Sequence, residues 1–188
     1  MRRRPRRLPR RKLASRGRQA VVVGAVLVAF VLLRVAGVLL PPAPPERLEP
    51  GSYQVKRVVD GDTLLLSNGA RVRLMGVDTP ETVKPDHPVE PWGPEAARFT
   101  EDFVRGGRVR LQFDRTRKDR YGRFLAYVWV DGRLLNEELL RAGLARLSLY
   151  LDRYHQPDIE RRLRQAAKEA EAAGRGIHSG RKGADGRL

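Results

Sequence analysis

At 188 residues the chain is long enough to bury a sizeable core, and its formal net charge is +16. The absence of cysteine excludes disulfides, thiolate-bound metal, a cysteine nucleophile and thioether lipid anchors. Residues 1–45 hold eleven of the 38 basic residues and no acidic one, leaving 27 basic against 22 acidic residues from Glu46 onward, so the high charge is mostly N-terminal and does not by itself argue for a nucleic-acid-binding domain.

The chain opens on a basic tail, residues 1–19. Residues 20–40, AVVVGAVLVAFVLLRVAGVLL, carry one charge, Arg34, and are long enough to cross a bilayer as a helix. This stretch reads as a transmembrane signal anchor, with Arg34 close enough to the far end for its stem to carry the guanidinium toward headgroups. The basic tail keeps the N-terminus cytoplasmic and places the rest of the chain outside the membrane. The alternative is secretion after signal cleavage, although no small-x-small site follows Arg34. A Pro-rich linker over 41–50, opening with PPAPPE, then spaces membrane from domain.

From Tyr53 the sequence is punctuated by hairpin signals, DG at Asp60, NG at Asn68 and DG at Asp131, each between β-branched or apolar runs. They predict strands over 53–59, 63–67, 70–77, 107–114, 123–130 and 133–135, a spacing that suits a small barrel or sandwich. Three helices interrupt or follow them. WGPEAARFTEDFVRGG places Pro94 in a first turn and puts Ala96, Phe99 and Phe103 on one face. LNEELLRAG offers Asn136 as N-cap, a Leu135–Leu140 staple and Gly143 as the stop. The third starts at Asp158 and repeats apolar residues at Ile159, Leu163, Ala166, Ala170 and Ala173. The domain therefore runs over 51–178, with a disordered tail over 179–188.

The polar residues that invite a chemical reading are Asp60, Asp62, Arg73, Asp78, Thr79, Glu81 and Arg123. Taken singly, each has a bland explanation, such as a turn at Asp60-Gly61 or an exposed strand arginine. As a set they supply what phosphodiester hydrolysis needs: a hard-oxygen cation site, a carboxylate to handle water and guanidiniums to grip phosphoryl oxygens. The competing chemistries lack their parts. His87, His155 and His178 stand singly without ligand spacing, and neither a G-x-S-x-G elbow nor a GxxxxGK[ST] loop is present.

VVDGDTLLL, RVRLMGVDTPET, WGPEAARFT and DRYGRFLAYVWVDGRLLNEELLRAGLA follow one another in the order and spacing of the staphylococcal nuclease (thermonuclease) family, which the chain resembles from about Val55 to Ala145. The resemblance implies an α+β fold dominated by β, a five-stranded OB-fold barrel with about three packed helices. It implies Ca²⁺-dependent cleavage of DNA and RNA that leaves 3′-phosphates. Asp62 and Asp78, with the Thr79 carbonyl, match the metal ligands. Glu81 matches the residue that positions or deprotonates water, and Arg73 and Arg123 match the arginines that hold the phosphate. A non-catalytic OB module binding single-stranded nucleic acid or protein at the cell surface is the alternative.

The chain departs from the family where an aromatic often stacks on the nucleotide. It reads RLSLYL there, with Leu149 near the expected place and Tyr150 one residue later. Tyr150 and Tyr121 are therefore the candidate substrate contacts. The loop VKPDHPVEP is less basic than lysine-rich versions, and His178 stands where an aromatic commonly closes the last helix. Strict alternation from Arg73 would send Asp78 to the opposite face, so a break is expected between them, with Gly76 the candidate. No obligate protein partner is evident, and the domain is expected to be monomeric.

Overall fold

The computed structural model describes residues 24–32, 43–82, 89–149 and 155–180, and the chain separates into two units after Pro42. In the first, residues 24–32 form helix α1, whose large apolar side chains, Val26, Leu27, Val28, Phe30, Val31 and Leu32, are all exposed. Among the described residues no helix is long and apolar enough to cross a membrane. The remainder of the predicted span lies outside the described residues, as do the basic tail and residues 181–188.

Among the described residues the second unit has eight strands: β1 (Gly51–Asp60), β2 (Thr63–Leu66), β3 (Arg71–Leu74), β4 (Val77–Asp78), β5 (Arg108–Gln112), β6 (Phe124–Val130), β7 (Arg133–Leu134) and β8 (Arg146–Leu147). Antiparallel pairings join β1 to β2, β2 to β3, β1 to β5 and β5 to β6, and β3 pairs parallel with β6. That last pairing closes a five-stranded barrel of the OB type. The hairpin signals act where they were read, with one refinement. Asp131 and Gly132 both take positive φ, as a two-residue type I′ turn requires. At the first hairpin, Asp60 still pairs with Thr63 and the two turn residues are Gly61 and Asp62, so the second aspartate rather than the first sits at the tip.

Alternation sends Leu64, Leu66, Val72, Leu74, Val109 and Leu111 inward, where each is nearly or fully buried. Each such side chain contributes about 1.5–3 kcal/mol of transfer free energy. Helices α2 (Gly93–Phe103), α3 (Leu135–Arg141) and α4 (Pro157–Ala172) cover the barrel. α2 buries Gly93, Ala96 and Thr100, while Phe99 and Phe103 stack at 6.1 Å along the edge of that contact. α4 starts at Pro157, one residue before the expected Asp158, because the proline takes the first turn. It buries Ile159, Leu163, Ala166 and Ala170, but Ala173 lies past its last turn and is exposed. The hydrophobic core runs from Leu48 to Ala166, so the unit from Ala43 carries its own interior.

Two expectations are corrected. The predicted strand over 70–77 stops at Leu74, and Met75-Gly76 turns the chain before β4, with Gly76 at φ 82°. Asn136 is not an N-cap: α3 begins at Leu135, and no side chain caps it. Asn136 is instead fully buried, accepting from the Val128 N–H at 2.9 Å and donating to the carbonyls of Met75 at 2.7 Å and Ala126 at 3.4 Å. It ties α3 to β6 and to the turn that re-aims the chain before Asp78. Gly143 ends α3 as expected, at φ 70°.

Asn136→Ala should therefore leave the Val128 N–H and the Met75 carbonyl without this partner, the Ala126 carbonyl keeping the Met75 N–H at 2.9 Å, and cost about 2–3 kcal/mol, read as a lowered denaturant midpoint at unchanged m-value. A cost below about 1 kcal/mol would show that these groups find other partners.

Candidate active site

The turn at the end of β1 is clamped from both sides. A Cβ at Gly61 would lie 2.8 Å from the Ala96 Cβ and 2.9 Å from the Thr79 Oγ1, so only glycine allows the turn to press against α2. Thr100, fully buried on α2, donates its hydroxyl to the Gly61 carbonyl at 2.6 Å. Asp60 accepts from the Gly61 N–H at 2.8 Å and from the Thr82 hydroxyl at 2.7 Å. Asp62 is thereby delivered, buried, to the outer face of the barrel.

There Asp62 accepts three hydrogen bonds: from the Thr63 hydroxyl at 3.0 Å and, on Oδ2, from the N–H and hydroxyl of Thr79 at 3.0 and 3.1 Å. The same Oδ2 lies 3.0 Å from Nη2 of Arg73, and that Nη2 is also 2.7 Å from Oδ1 of Asp78. Nη1 of Arg73 donates to the carbonyls of Leu74 and Val77 at 2.9 and 2.7 Å. The break at Gly76 is what lets Arg73 and Asp78 meet. Arg73 was expected to face a phosphate, and here it is drawn inward as a bridge between two carboxylates.

Burial holds the Asp62 carboxyl above the ordinary aspartate value, outweighing the Arg73 charge and the hydrogen bonds that favour the anion. Glu81, exposed at the rim, is also held above its ordinary value. Partial desolvation comes first, then the negative charges of Asp60 and Asp62, a hydrogen bond with Asp60 and the charge of Asp78. Four carboxyls thus share one region against a single bridging guanidinium. Among the described residues no three acidic or histidine side chains close into a cluster that would enclose a metal unaided. The donor set still fits a hard cation: two carboxylates already converge on one positively charged nitrogen, and oxygen ligands of this kind suit Ca²⁺ or Mg²⁺.

Arg73 and Asp78 line a cleft of about 460 Å³ together with Asp119, Arg120, Tyr121 and Arg123 of the loop that leads into β6. Asp119 organises that loop. Its carboxylate accepts from the N–H groups of Tyr121 and Arg123, both at 2.9 Å, and from Nε of Arg123 at 2.7 Å. Arg123 is left with its Nη donors beyond that bond, 5.5 Å over the Tyr121 ring. Tyr121 is 68% exposed, and Arg120 lies 4.8 Å over the same ring. Tyr150 and most of the loop VKPDHPVEP lie outside the described residues.

The structure therefore brings Asp62, Thr79, Arg73 and Asp78 into contact, sets Glu81 among the same acidic groups and places Arg123 and Tyr121 in the lining of the cleft that Arg73 and Asp78 share. Sequence reasoning passed over Asp119 and Thr100, and it credited Asp60 with a turn only. An aspartate two residues before Tyr121 and three before Gly122 carries the signature of an Asx turn, which was available as a signal. For Thr100 no local signal existed, since its partner is distant in sequence.

A family model described as Staphylococcal nuclease homologue matches residues 71–180, more than half of the chain. The chain belongs to the staphylococcal nuclease family. Thermonuclease of Staphylococcus hyicus is 44% identical over 131 residues, covering 68% of this chain and 76% of that protein. Thermonuclease of Staphylococcus intermedius is 49% identical over 125 residues, covering 64% and 71%. Endonuclease YncB of Bacillus subtilis (strain 168) is 42% identical over 115 residues, covering 55% of this chain and 54% of that protein. The matched segment of the family model begins at Arg71 and so contains β3, the acidic turn after it and the Arg123 loop.

If Asp119 holds the loop, Asp119→Ala should raise the rate of tryptic cleavage after Arg120 and Arg123 by about tenfold while the global unfolding midpoint barely moves, because only local hydrogen bonds are lost. Unchanged cleavage would remove Asp119 from that role.

Proposed function

We propose that the protein is a metal-dependent nuclease that uses Ca²⁺ to hydrolyse phosphodiester bonds of DNA and RNA, leaving 3′-phosphates. The observation that carries this reading is the convergence of Asp62 and Asp78 on one cationic nitrogen, with Glu81 beside them and Arg123 in the cleft that Arg73 and Asp78 line. Family membership supports it. The carboxylates of Asp62 and Asp78, with the Thr79 carbonyl, would hold the ion, whose chemistry is to polarise a phosphoryl oxygen and offset developing charge.

The chain's own groups do the rest. Glu81, held above its ordinary value and open to solvent, takes a proton from the attacking water, since a base works best when its affinity for protons approaches the working pH. Arg123, with Nε fixed by Asp119, presents Nη donors to the phosphoryl oxygens and stabilises the charge that builds there. Arg73, now held by Asp62 and Asp78, would supply a second guanidinium to the phosphate if those carboxylates held the ion. A domain used only for binding would gain nothing from four carboxyls beside a polyanion, which they repel.

The unit from Ala43 to Leu188 should degrade single-stranded DNA with Ca²⁺ and stop on chelation; robust cleavage in excess chelator would sink the metal mechanism. Glu81→Gln should lower turnover by about 10²–10⁴-fold with an unchanged melting midpoint, because an amide cannot take the proton. Near-normal turnover would remove Glu81 from the chemistry.

We also propose that residues 20–40 anchor the domain to the membrane with the N-terminus cytoplasmic. The apolar length of the stretch and the wholly exposed apolar surface of α1 support this. The full chain should remain in the membrane fraction after an alkaline wash, and recovery of a shortened soluble product would overturn it in favour of cleavage.

A further inference from the structure

The pairing that closes the barrel also sets up a row of basic residues outside the cleft. Val72 pairs with Phe124, both buried in the barrel, so the residues one step before them, Arg71 and Arg123, stand side by side at the surface. On its other side Arg71 is directly opposite Leu65 of β2, and Leu65 is directly opposite Arg57 of β1. Leu65 lies between the buried Leu64 and Leu66, which fixes this row on the outer face. The register of β1 slips between Val55 and Arg57, a bulge that adds Lys56 beside Arg57. Along β3, Arg71 and Arg73 are two residues apart, about 6.6 Å on the same face. The row therefore leaves the cleft at Arg73 and Arg123, passes Arg71, crosses the half-buried Leu65 and reaches Arg57 and Lys56 about 10 Å beyond.

Lys56, Arg57 and Arg71 are exposed. Several exposed arginines of the domain are held by a carboxylate, Arg105 by Asp102, Arg133 by Glu138, Arg161 by Asp158 and Arg164 by Glu160, whereas others, Arg108 and Arg110 of β5 among them, have none among the described residues. Among the described residues no carboxylate pairs with Arg57 or Arg71, and the one bond Arg57 makes is a 3.4 Å contact with the Val58 carbonyl. Three unneutralised cations beside an apolar side chain match a single strand, which offers phosphates at the edge and sugar or base faces between them.

We propose that Lys56, Arg57 and Arg71, with Leu65 between them, form a track that holds the phosphates of a single strand flanking the bond in the cleft. The proposal deepens the nuclease reading and rests on it for the position of the scissile bond. It makes two claims about substrates. Affinity should depend on strand length, since a substrate confined to the cleft does not reach Arg57. The track should also act on binding and leave the chemical step alone, because none of its residues touches the reacting phosphate.

The test uses the unit from Ala43 to Leu188, which carries the whole core and omits the basic tail, and compares it with Arg57→Gln/Arg71→Gln. Two substrates are needed: a twelve-nucleotide single-stranded DNA and a p-nitrophenyl ester of a single thymidine phosphate. The expected result is a severalfold higher KM for the oligonucleotide at unchanged kcat, no change with the ester, and a salt dependence of oligonucleotide affinity shallower by about 0.7 per arginine removed. Arg161→Gln/Lys168→Gln, which removes the same charge from α4, should leave the salt slope where it was. Equal effects on both substrates, or an equal loss of slope in the α4 variant, would overturn the track. If neither substrate is cleaved by the unaltered unit, the nuclease reading fails by itself. Fluorescence anisotropy of the labelled oligonucleotide in chelator then still decides the track, which stands if the β-face variant alone flattens the slope and falls if it does not.

Discussion

The parallel pairing of β3 with β6 is the contact on which the rest of the second unit depends. It converts an open meander into a closed barrel, and it is the step that sets Val72 beside Phe124 and Arg73 beside Leu125. Without it the residues that line the cleft belong to distant parts of the chain and have no reason to meet. Parallel pairs need a long crossover and are slow to form, because loop entropy is lost before contacts compensate. The crossover here is used twice. It carries α2, which presses on the Gly61 turn, and β5, which seals the other side of β6. Asn136 then fixes the closed state from within by joining β6 to the Met75 carbonyl.

What the closed barrel presents on its outer face is electrostatically costly. Asp62 is buried and held above its ordinary value even though a guanidinium and three hydrogen-bond donors favour its anion. Glu81 is raised by partial desolvation first and then by Asp60, Asp62 and Asp78. A hydrophobic or neutral replacement at such positions commonly leaves a protein as stable or more so, which means the carboxyls are not there for stability. Arg73 offsets part of the repulsion through Nη2, while Nη1 is held by the carbonyls of Leu74 and Val77. A divalent cation would relieve the same repulsion and release Arg73 toward a phosphate, so the internal salt bridge and the proposed chemistry compete for one site.

Much of this was legible in the sequence because it is local. The hairpin dipeptides, the first-turn proline at Pro94, the stop at Gly143 and the need for a break at Gly76 all follow from φ preferences of single residues. The acidic set could be named because its members cluster in two short motifs. What escaped depends on long-range register. Asn136 looked like a cap because an asparagine before an apolar helix usually is one, and only the arrival of β6 and Met75 beside it makes it a buried bridge. Thr100 gave no signal, since its partner Gly61 lies across the barrel. Asp119 did carry a turn signature, but its value lies in the arginine it orients, which the turn alone does not reveal.

The outer row of cations shows how one alternation can serve two ends. From Glu46 onward the chain has 27 basic and 22 acidic residues, a modest excess, so its mean field is weak and placement decides what it attracts. Period two puts Val72 and Leu74 in the core and therefore commits Arg71 and Arg73 to the same outer face. Their fates diverge only because of neighbours. Gly76 folds Asp78 back onto Arg73, which is drawn to 14% exposure and neutralised by carboxylates. Arg71 lies one repeat further from that turn, opposite Leu65, where no carboxylate reaches it. A residue pair that the sequence presents as equivalent is thus divided by one glycine turn into an internal bridge and a free surface charge.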